Sequence, residues 1–267
     1  MLPSSIEVLV RGWLHGNVVA VRGEVPTLVD SGYETGLEET RAFAQRFDPV
    51  QLVLTHVHAD HAGGAGSLGL PTHAHPAAAA IVDPWSPDAL WLAHTGQSMP
   101  RFRVDHLLGD QVRMGDDDWR VVETGGHATG GVSLYEPRSR VLISGDALWR
   151  RGFGVLDPWH DGPRVFDQTE EALDAIAALD VAVVIPGHGE PFTEVDEALT
   201  EARERLAYLR SHPERLRAQM VRNLAGFLGM ARPDVTADEL RAMVLGLAGE
   251  VGMAEEEALG ELRRVTP

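Results

Sequence analysis

The chain of 267 residues contains no cysteine. Disulfides, thiolate nucleophiles and cysteine-ligated zinc or iron–sulfur centres are thereby excluded. It contains no lysine either, since all 23 basic residues are arginines. Schiff-base chemistry, a lysine nucleophile and a P-loop lysine go with it. No stretch approaches about 18 uninterrupted apolar residues, so no membrane-spanning helix is expected. The segment 1–12 lacks the basic-then-apolar pattern of an export signal and reads as a first strand; a cytoplasmic protein is the expectation. Positive charge is scarce. With 40 acidic residues the formal net charge is -17, which repels phosphate backbones and anionic lipid. The expected partner is a small-molecule substrate, with nucleic acid and membrane disfavoured and a homo-oligomer left open.

Hydrophobic residues make up 44% and charged residues 24%, enough apolar material for a sizeable core. Segments 6–10, 18–21, 27–30 and 51–55 read as strands, rich in β-branched and apolar residues. A helix is predicted over 37–47, where Leu37, Thr40, Phe43, Ala44 and Phe47 share a face, and another over 77–82. The stretch 84–103 is punctuated by Pro, Trp and Gly and reads as an insertion loop. Segments 112–114, 119–124, 132–135 and 141–144 then suggest an antiparallel sheet, 168–179 a helix and 182–185 a buried strand. This pattern predicts an α/β fold of two packed sheets with helices outside, a four-layer αββα sandwich over residues 1–192. Residues 193–267 read as a helical C-terminal extension, with helices over 195–210, 214–228, 237–247 and 255–264. Its arginines, among them Arg203, Arg205, Arg210, Arg215 and Arg217, alternate with acids and read as a solvated helix face.

The informative segment is Thr55-His56-Val57-His58-Ala59-Asp60-His61-Ala62-Gly63-Gly64. Three histidines and one aspartate fall within six residues directly after an apolar strand. Imidazole and carboxylate are the ligands that zinc, iron and manganese accept when thiolate is absent. His127, Asp146 and His188 each follow a predicted strand and each sit beside glycine. Ligands delivered from several strand ends are how a rigid scaffold fixes a metal site. Tyr33 and Trp149 closely follow presumed site residues and are candidate substrate contacts. Trp85, Trp91, Met99 and Phe102 either line a pocket or anchor the insertion. His73, His75, His94, His106 and His160 read as surface or structural histidines.

The H-x-H-x-D-H segment followed by separate His, Asp and His positions resembles the metallo-β-lactamase superfamily. The resemblance implies one metal held by His56, His58 and His127 and a second held by Asp60, His61 and His188, with Asp146 bridging both. Asp30 matches the family's early aspartate, a buried support beside the site. Two divalent ions are implied, zinc foremost, with iron and manganese as the other ions such ligands accept. Two cations against Asp60 and Asp146 leave residual positive charge, which favours a bridging hydroxide as nucleophile on an ester, thioester or lactone. Asp60 would also relay a proton. Asp146, the missing cysteine and the missing export signal make the chain more similar to the glyoxalase II and lactonase branches than to the β-lactamases. Two alternatives stay open: an iron-dependent persulfide dioxygenase-like enzyme, and an endoribonuclease-like phosphodiesterase, suggested by Tyr208, His212, Glu214 and Arg215 in the extension.

Overall fold

The computed structural model describes every residue except 1, 13, 14, 88, 93–95, 233, 266 and 267. His94, read above as surface or structural, lies outside the described residues. The chain runs β1 (Ile6–Leu9), β2 (Val18–Val21), β3 (Thr27–Val29), α1 (Leu37–Ala44), β4 (Gln51–Val53), α2 (Ala59–Ala62), α3 (Ala65–Leu68), β5 (Thr72–Ala74), α4 (Pro76–Val82), β6 (His106–Leu107), β7 (Gln111–Met114), β8 (Asp117–Glu123), β9 (Val132–Glu136), β10 (Val141–Gly145), α5 (Val165–Ala177) and β11 (Val183–Pro186). Four helices follow: α6 (Val195–Ser211), α7 (Pro213–Ala231), α8 (Ala237–Glu250) and α9 (Glu255–Val265). Among the described residues, no helix is long and apolar enough to cross a membrane.

Six strands form one sheet in the order β1-β2-β3-β4-β5-β6, and five form the other in the order β11-β10-β9-β8-β7. Val19, Val21, Val29 and Val53 from the first sheet meet Trp119, Leu134, Ile143 and Ile185 from the second in one buried core. Each such side chain contributes about 1.5–3 kcal/mol by leaving water. The outer face of the first sheet is covered by α1, the turn after it and α4, through Phe43, Phe47, Ala78 and Val82. The outer face of the second is covered by α5 and α6, through Leu173, Ile176, Leu199 and Leu206. Strands covered on both faces have no polar alternation to show, and β9, β10 and β11 are buried along their whole length. At the margin β7 alternates exposed and buried, as a half-covered strand does. The four-layer αββα sandwich is the architecture expected from the sequence.

The helical extension is not a detached lobe. Ala198, Leu199, Ala202 and Leu206 of α6 share one core with Leu142 and Val184 of the second sheet. Helices α7, α8 and α9 build a further core that also takes in Val155, Trp91 and Trp159. Two arginines depart from the solvated face expected of them. The Arg205 guanidinium lies over the Phe153 ring at 5.1 Å, and that of Arg217 over Trp159 at 5.2 Å. Their long stems cover apolar surface, which alternation with acids along the helix does not reveal.

Strand direction puts the functional loops on one edge. β3 and β4 are parallel. β8 is antiparallel to β9, β9 to β10, and β10 parallel to β11, so β8, β10 and β11 all point one way. The two sheets are stitched where these strands end. Val132 N donates to Thr55 O at 2.8 Å, and Asn17 N donates to Gly187 O at 2.7 Å. The buried Asn17 carboxamide also donates to Pro186 O and Gly189 O, pinning the loop that carries His188.

Candidate metal centre

All seven ligand-type residues singled out in the sequence converge on that edge. His56 and His58 follow the end of β4 two residues apart, with His58 in extended backbone as the residue before α2. The chain then turns into α2, one helical turn that aims Asp60 and His61 at a neighbouring point. His127 follows β8, Asp146 follows β10 and His188 follows β11. Three sets of ligand atoms lie within 4.8 Å of one another: His56, His58 and His127; Asp60, His61 and His188; and His56, His61 and Asp146. The first two are the trios that the resemblance implied. Asp146 stands between them. Its Oδ2 is 3.3 Å from His127 Nε2, and its Oδ1 is 3.4 Å from His61 Nε2 and 3.6 Å from His188 Nε2.

The hydrogen bonds behind the cluster fix which nitrogen each ring presents. His127 Nδ1 donates to Val155 O at 2.7 Å, which leaves Nε2 as a lone pair. Thr55 Oγ1 gives its proton to Asp30 Oδ2 at 2.7 Å, so His56 Nδ1 donates to that hydroxyl at 3.1 Å. His56 Nε2 is buried without a partner. His61 Nδ1 donates to Asp30 Oδ2 at 2.8 Å. His58 Nδ1 lies 3.0 Å from His127 Nε2, and His61 Nε2 lies 3.2 Å from His188 Nε2. A hydrogen bond can occupy each of these close pairs, but it leaves the buried His56 Nε2 unpaired and the carboxylate oxygens of Asp60 and Asp146 pressed against ring nitrogens, whereas a cation would take all of these lone pairs at once. The donor set therefore fits metal ions.

The electrostatics agree. Burial, followed by His61, His58 and His127, holds His56 well below the ordinary histidine value. Burial and His127 push His58 down to about 3. Both are neutral imidazoles at physiological pH, the form that ligates. His61 is the exception. Burial lowers its pKa, but Asp146, Asp60 and Asp30 together raise it well above the ordinary value. In the metal-free protein His61 is thus cationic near neutral pH, and ligation through Nε2 displaces its proton. Zinc uptake at pH 7 is expected to release at least one proton per chain, His61 supplying one in addition to any lost from a metal-bound water, read by calorimetry in buffers of different ionisation enthalpy. Proton-neutral uptake would contradict this assignment. The His61 share of the release should fade as pH rises through its elevated pKa, because His61 is then already neutral.

Asp30 takes the supporting position expected of it. It is buried, with φ 58°, a left-handed backbone that aspartate tolerates better than most residues. Its two oxygens accept from Thr55 N, Thr55 Oγ1 and His61 Nδ1. An Asp30→Asn variant turns one acceptor into a donor facing those donors. It is expected to lower metal affinity by about 10- to 100-fold with little change in fold, as measured by chelator competition and circular dichroism.

The centre opens into a cavity of about 140 Å³. Trp149, a candidate substrate contact, lines it: its Nε1 donates to Asp146 Oδ1 at 3.1 Å, and its ring meets the His188 edge at 5.1 Å. Tyr33, the other candidate substrate contact, is a correction. It is fully buried in the core beneath the first sheet, does not line the cavity, and its hydroxyl accepts from Ser98 N. The insertion divides its aromatic residues. Trp85, Met99 and Phe102 pack into that same core. Trp91 stacks on His58 at 4.6 Å and walls the cavity. The remaining wall includes Gln97 from the insertion and Gln219, Asn223 and Phe227 from α7. Those three fall at i, i+4 and i+8 on one helix face, the only sequence signal that could have found them. The residues of the extension that suggested an endoribonuclease do not line the cavity; Tyr208 instead stacks on His212 at its surface. His75 caps α4, His73 lies against His106, and His160 pairs with Asp157, all structural roles.

A four-layer αββα sandwich whose shared strand edge gathers histidines and aspartates into a buried cluster defines a metallohydrolase class of protein. The chain belongs to the metallo-beta-lactamase superfamily, whose family model matches residues 11–188. A hydroxyacylglutathione hydrolase of Cereibacter sphaeroides is 29% identical over 226 residues, covering 80% of this chain and 78% of that protein. The human acyl-coenzyme A thioesterase MBLAC2 is 28% identical over 209 residues, covering 66% and 74%. The chain spans less of other relatives: 63% of an uncharacterized Aquifex aeolicus protein at 32% identity, and 40% of the hydroxyacylglutathione hydrolase of a second Cereibacter sphaeroides strain. Among solved structures, a beta-lactamase domain protein from Burkholderia ambifaria aligns with a TM-score of 0.64 at 21% identity, covering 94% of this chain and 89% of that one. TTHA1623, solved in a di-iron-bound form, aligns at 0.55 with 26% identity, covering 72% and 96%.

Proposed function

We propose that this protein is a dinuclear metal-dependent hydrolase of small thioesters or related esters and lactones. The observation that carries the reading is Asp146, whose two carboxylate oxygens face the two histidine-containing groups separately. His56, His58 and His127 would hold one divalent ion and Asp60, His61 and His188 the other. Two such ions would supply an acidified water and a Lewis-acid pull on the substrate carbonyl. The chain's own residues do the rest. Asp30 and the Val155 carbonyl fix the ring orientations of His61 and His127. Trp91, Trp149 and Phe227 exclude bulk water, which strengthens every electrostatic interaction inside. Asp60 Oδ2, 3.2 Å from His188 Nε2 at the cavity wall, is placed to hold a proton leaving the attacking water. Support for the thioester class comes from the relatives named for thioester substrates and from a cavity that suits a short acyl group better than a whole thiol carrier. The acidic chain and the cavity size favour a small molecule over nucleic acid.

The test combines metal analysis of the purified protein with a panel of thioesters, lactones and phosphodiesters. Two metal ions per chain and chelator-sensitive thioester turnover are expected. One iron per chain with oxygen uptake on a persulfide would overturn the reading in favour of a dioxygenase.

A further inference from the structure

The five histidines of the cluster are not steadied alike. His56, His61 and His127 each direct Nδ1 at a scaffold oxygen, of Thr55, Asp30 and Val155 respectively. Among the described residues, no oxygen outside the cluster meets the ring of His58 or of His188. His58 Nδ1 has only His127 Nε2 at 3.0 Å, and His188 Nδ1 is buried without a partner. In place of an oxygen each of these rings has a tryptophan. Trp149 meets His188 edge-on at 5.1 Å, and Trp91 lies over His58 at 4.6 Å with 27° between the planes. Each indole N–H is in turn taken by an aspartate. Trp149 Nε1 donates to Asp146 Oδ1 at 3.1 Å, and Trp91 Nε1 to Asp161 Oδ2 at 3.2 Å. Asp146 belongs to the cluster; Asp161 stands outside it.

Trp91 needs holding. Its φ is 60°, a left-handed backbone that a bulky residue keeps only when its surroundings impose it. Asp161 supplies one restraint, from a loop that is itself fixed. The buried Asp157 accepts from Trp159 N, His160 N and His160 Nδ1, and its carbonyl accepts from Asp161 N. His160 Nε2 lies 3.4 Å from Glu250 of α8. Arg217 of α7 covers the Trp159 ring and donates from Nε to Val251 O. Burial, followed by Asp157, pushes the Asp161 carboxyl up to about 6, while the Trp91 indole and His160 pull it down. Among the described residues, Glu250 and Arg217 are the charged groups that α8 and α7 bring to this loop.

We propose that Asp161 is a positioning residue for the metal centre: by taking the Trp91 indole N–H it holds that ring against His58, and so fixes the imidazole of the first trio that no oxygen orients. The inference rests on the metal reading of the cluster and goes beyond it, because α8, the 157–161 loop, Trp91 and His58 then form one chain of contacts from the helical extension to the centre. An indole anchored at its N–H leaves the cavity wall only by giving up that bond, and the imidazole beneath it keeps one ring plane. A ligand held in one orientation binds metal more tightly than one free to turn, since less rotamer freedom is lost on binding.

The experiment starts with the metal-free protein, the indole nitrogens of its six tryptophans isotopically labelled for nuclear magnetic resonance. Trp91→Phe identifies the Trp91 indole resonance by its loss. In the wild type that resonance is expected to move with pH, with a midpoint of about 6, as Asp161 takes up its proton, and to stand still in Asp161→Asn. Zinc affinity by chelator competition at neutral pH gives the second readout. Asp161→Ala is expected to lose about 3- to 10-fold, less than the about 10- to 100-fold for a ligand's direct hydrogen-bond partner. Asp161→Asn, whose amide oxygen still accepts, should lose less. In a Trp91→Phe background, with no N–H left to hold, Asp161→Ala should cost nothing further. Should Asp161→Ala not fold, Asp161→Asn in the same two backgrounds carries the comparison. A loss of equal size in both backgrounds overturns the proposal, since Asp161 would then act on the fold and not through the indole. An indole resonance indifferent to Asp161→Asn, or unchanged affinity in Asp161→Ala, overturns it too. If the wild type takes up no zinc, the metal reading falls and this role with it, while the resonance still shows whether Asp161 holds Trp91.

Discussion

Replacing Asp146 with alanine is expected to strip the protein of most of its metal and with it of hydrolytic turnover. Asp146 is buried among three imidazoles, with Oδ2 near His127 and Oδ1 near both His61 and His188. Burial works against its charge, yet His188, His61 and His127 hold its carboxyl well below the usual carboxylate range. Removing one partner from a buried charge network costs about 3–5 kcal/mol, since the remaining charges stay desolvated. Expressed as metal affinity, that is a loss of roughly 10²- to 4 × 10³-fold. Asp146→Asn separates charge from shape, because it keeps one acceptor oxygen and loses the other. It is expected to retain metal in one group and lose it in the other, so that metal content falls by about half. Plasma emission analysis with circular dichroism checks both variants. Full metal occupancy in Asp146→Ala would show that the aspartate does not join the two groups.

The second large effect is steric. A Cβ at Gly187 would lie 2.2 Å from Asp146 Oδ1 and 2.8 Å from His61 Cε1. The backbone cannot step aside, because Gly187 N donates to Gly145 O and Gly187 O accepts from Asn17 N, each at 2.7 Å. Gly187→Ala must therefore displace the side chains of Asp146 and His61. A shift of about 1 Å at reacting groups costs on the order of 10²-fold in rate, and here two ligand-type residues move together. A loss of about 10²-fold or more in kcat/KM is expected, with reduced metal content. Gly189→Ala is the control two residues away. Gly189 has φ +87° and open space around its Cα, so alanine there brings only backbone strain of about 1–2 kcal/mol. It should lower the melting temperature while largely sparing metal content. If Gly187→Ala bound metal and turned over normally, the tight approach of this loop to the centre would be refuted.

Much of the fold was legible because its longer elements carry local signals. The predicted helix over 168–179 is found at Val165–Ala177, and the strand over 119–124 at Asp117–Glu123. The break at Ser211-His212-Pro213 falls where α6 gives way to α7. What escaped were pieces too short to show a period. Strands β5 and β6 have three and two residues, and α2 and α3 four each. Helix α1 ends at Ala44, three residues before the predicted stop, because the following turns already lead toward Asp48, whose φ is 48°.

The seven histidines and aspartates could be picked out because ligand chemistry belongs to the side chain and a strand end is a local pattern, whereas Asp30 was marked only by the family resemblance. Trp149 was chosen for nearness in the chain to Asp146 and lines the cavity; Tyr33 was chosen by the same argument and is buried in the core. Sequence proximity does not say which face of a turn a side chain takes. The sequence by itself thus determined the kinds of donor atom, their order and the strand-end positions that bear them. Tertiary structure alone decided that Trp91, Gln97 and one face of α7 close the cavity over them, and it supplied the distances by which Asp146 turns one oxygen to each group, an arrangement the resemblance had implied. Those facts depend on sheet register and helix docking between segments far apart in the chain, and no local propensity encodes either.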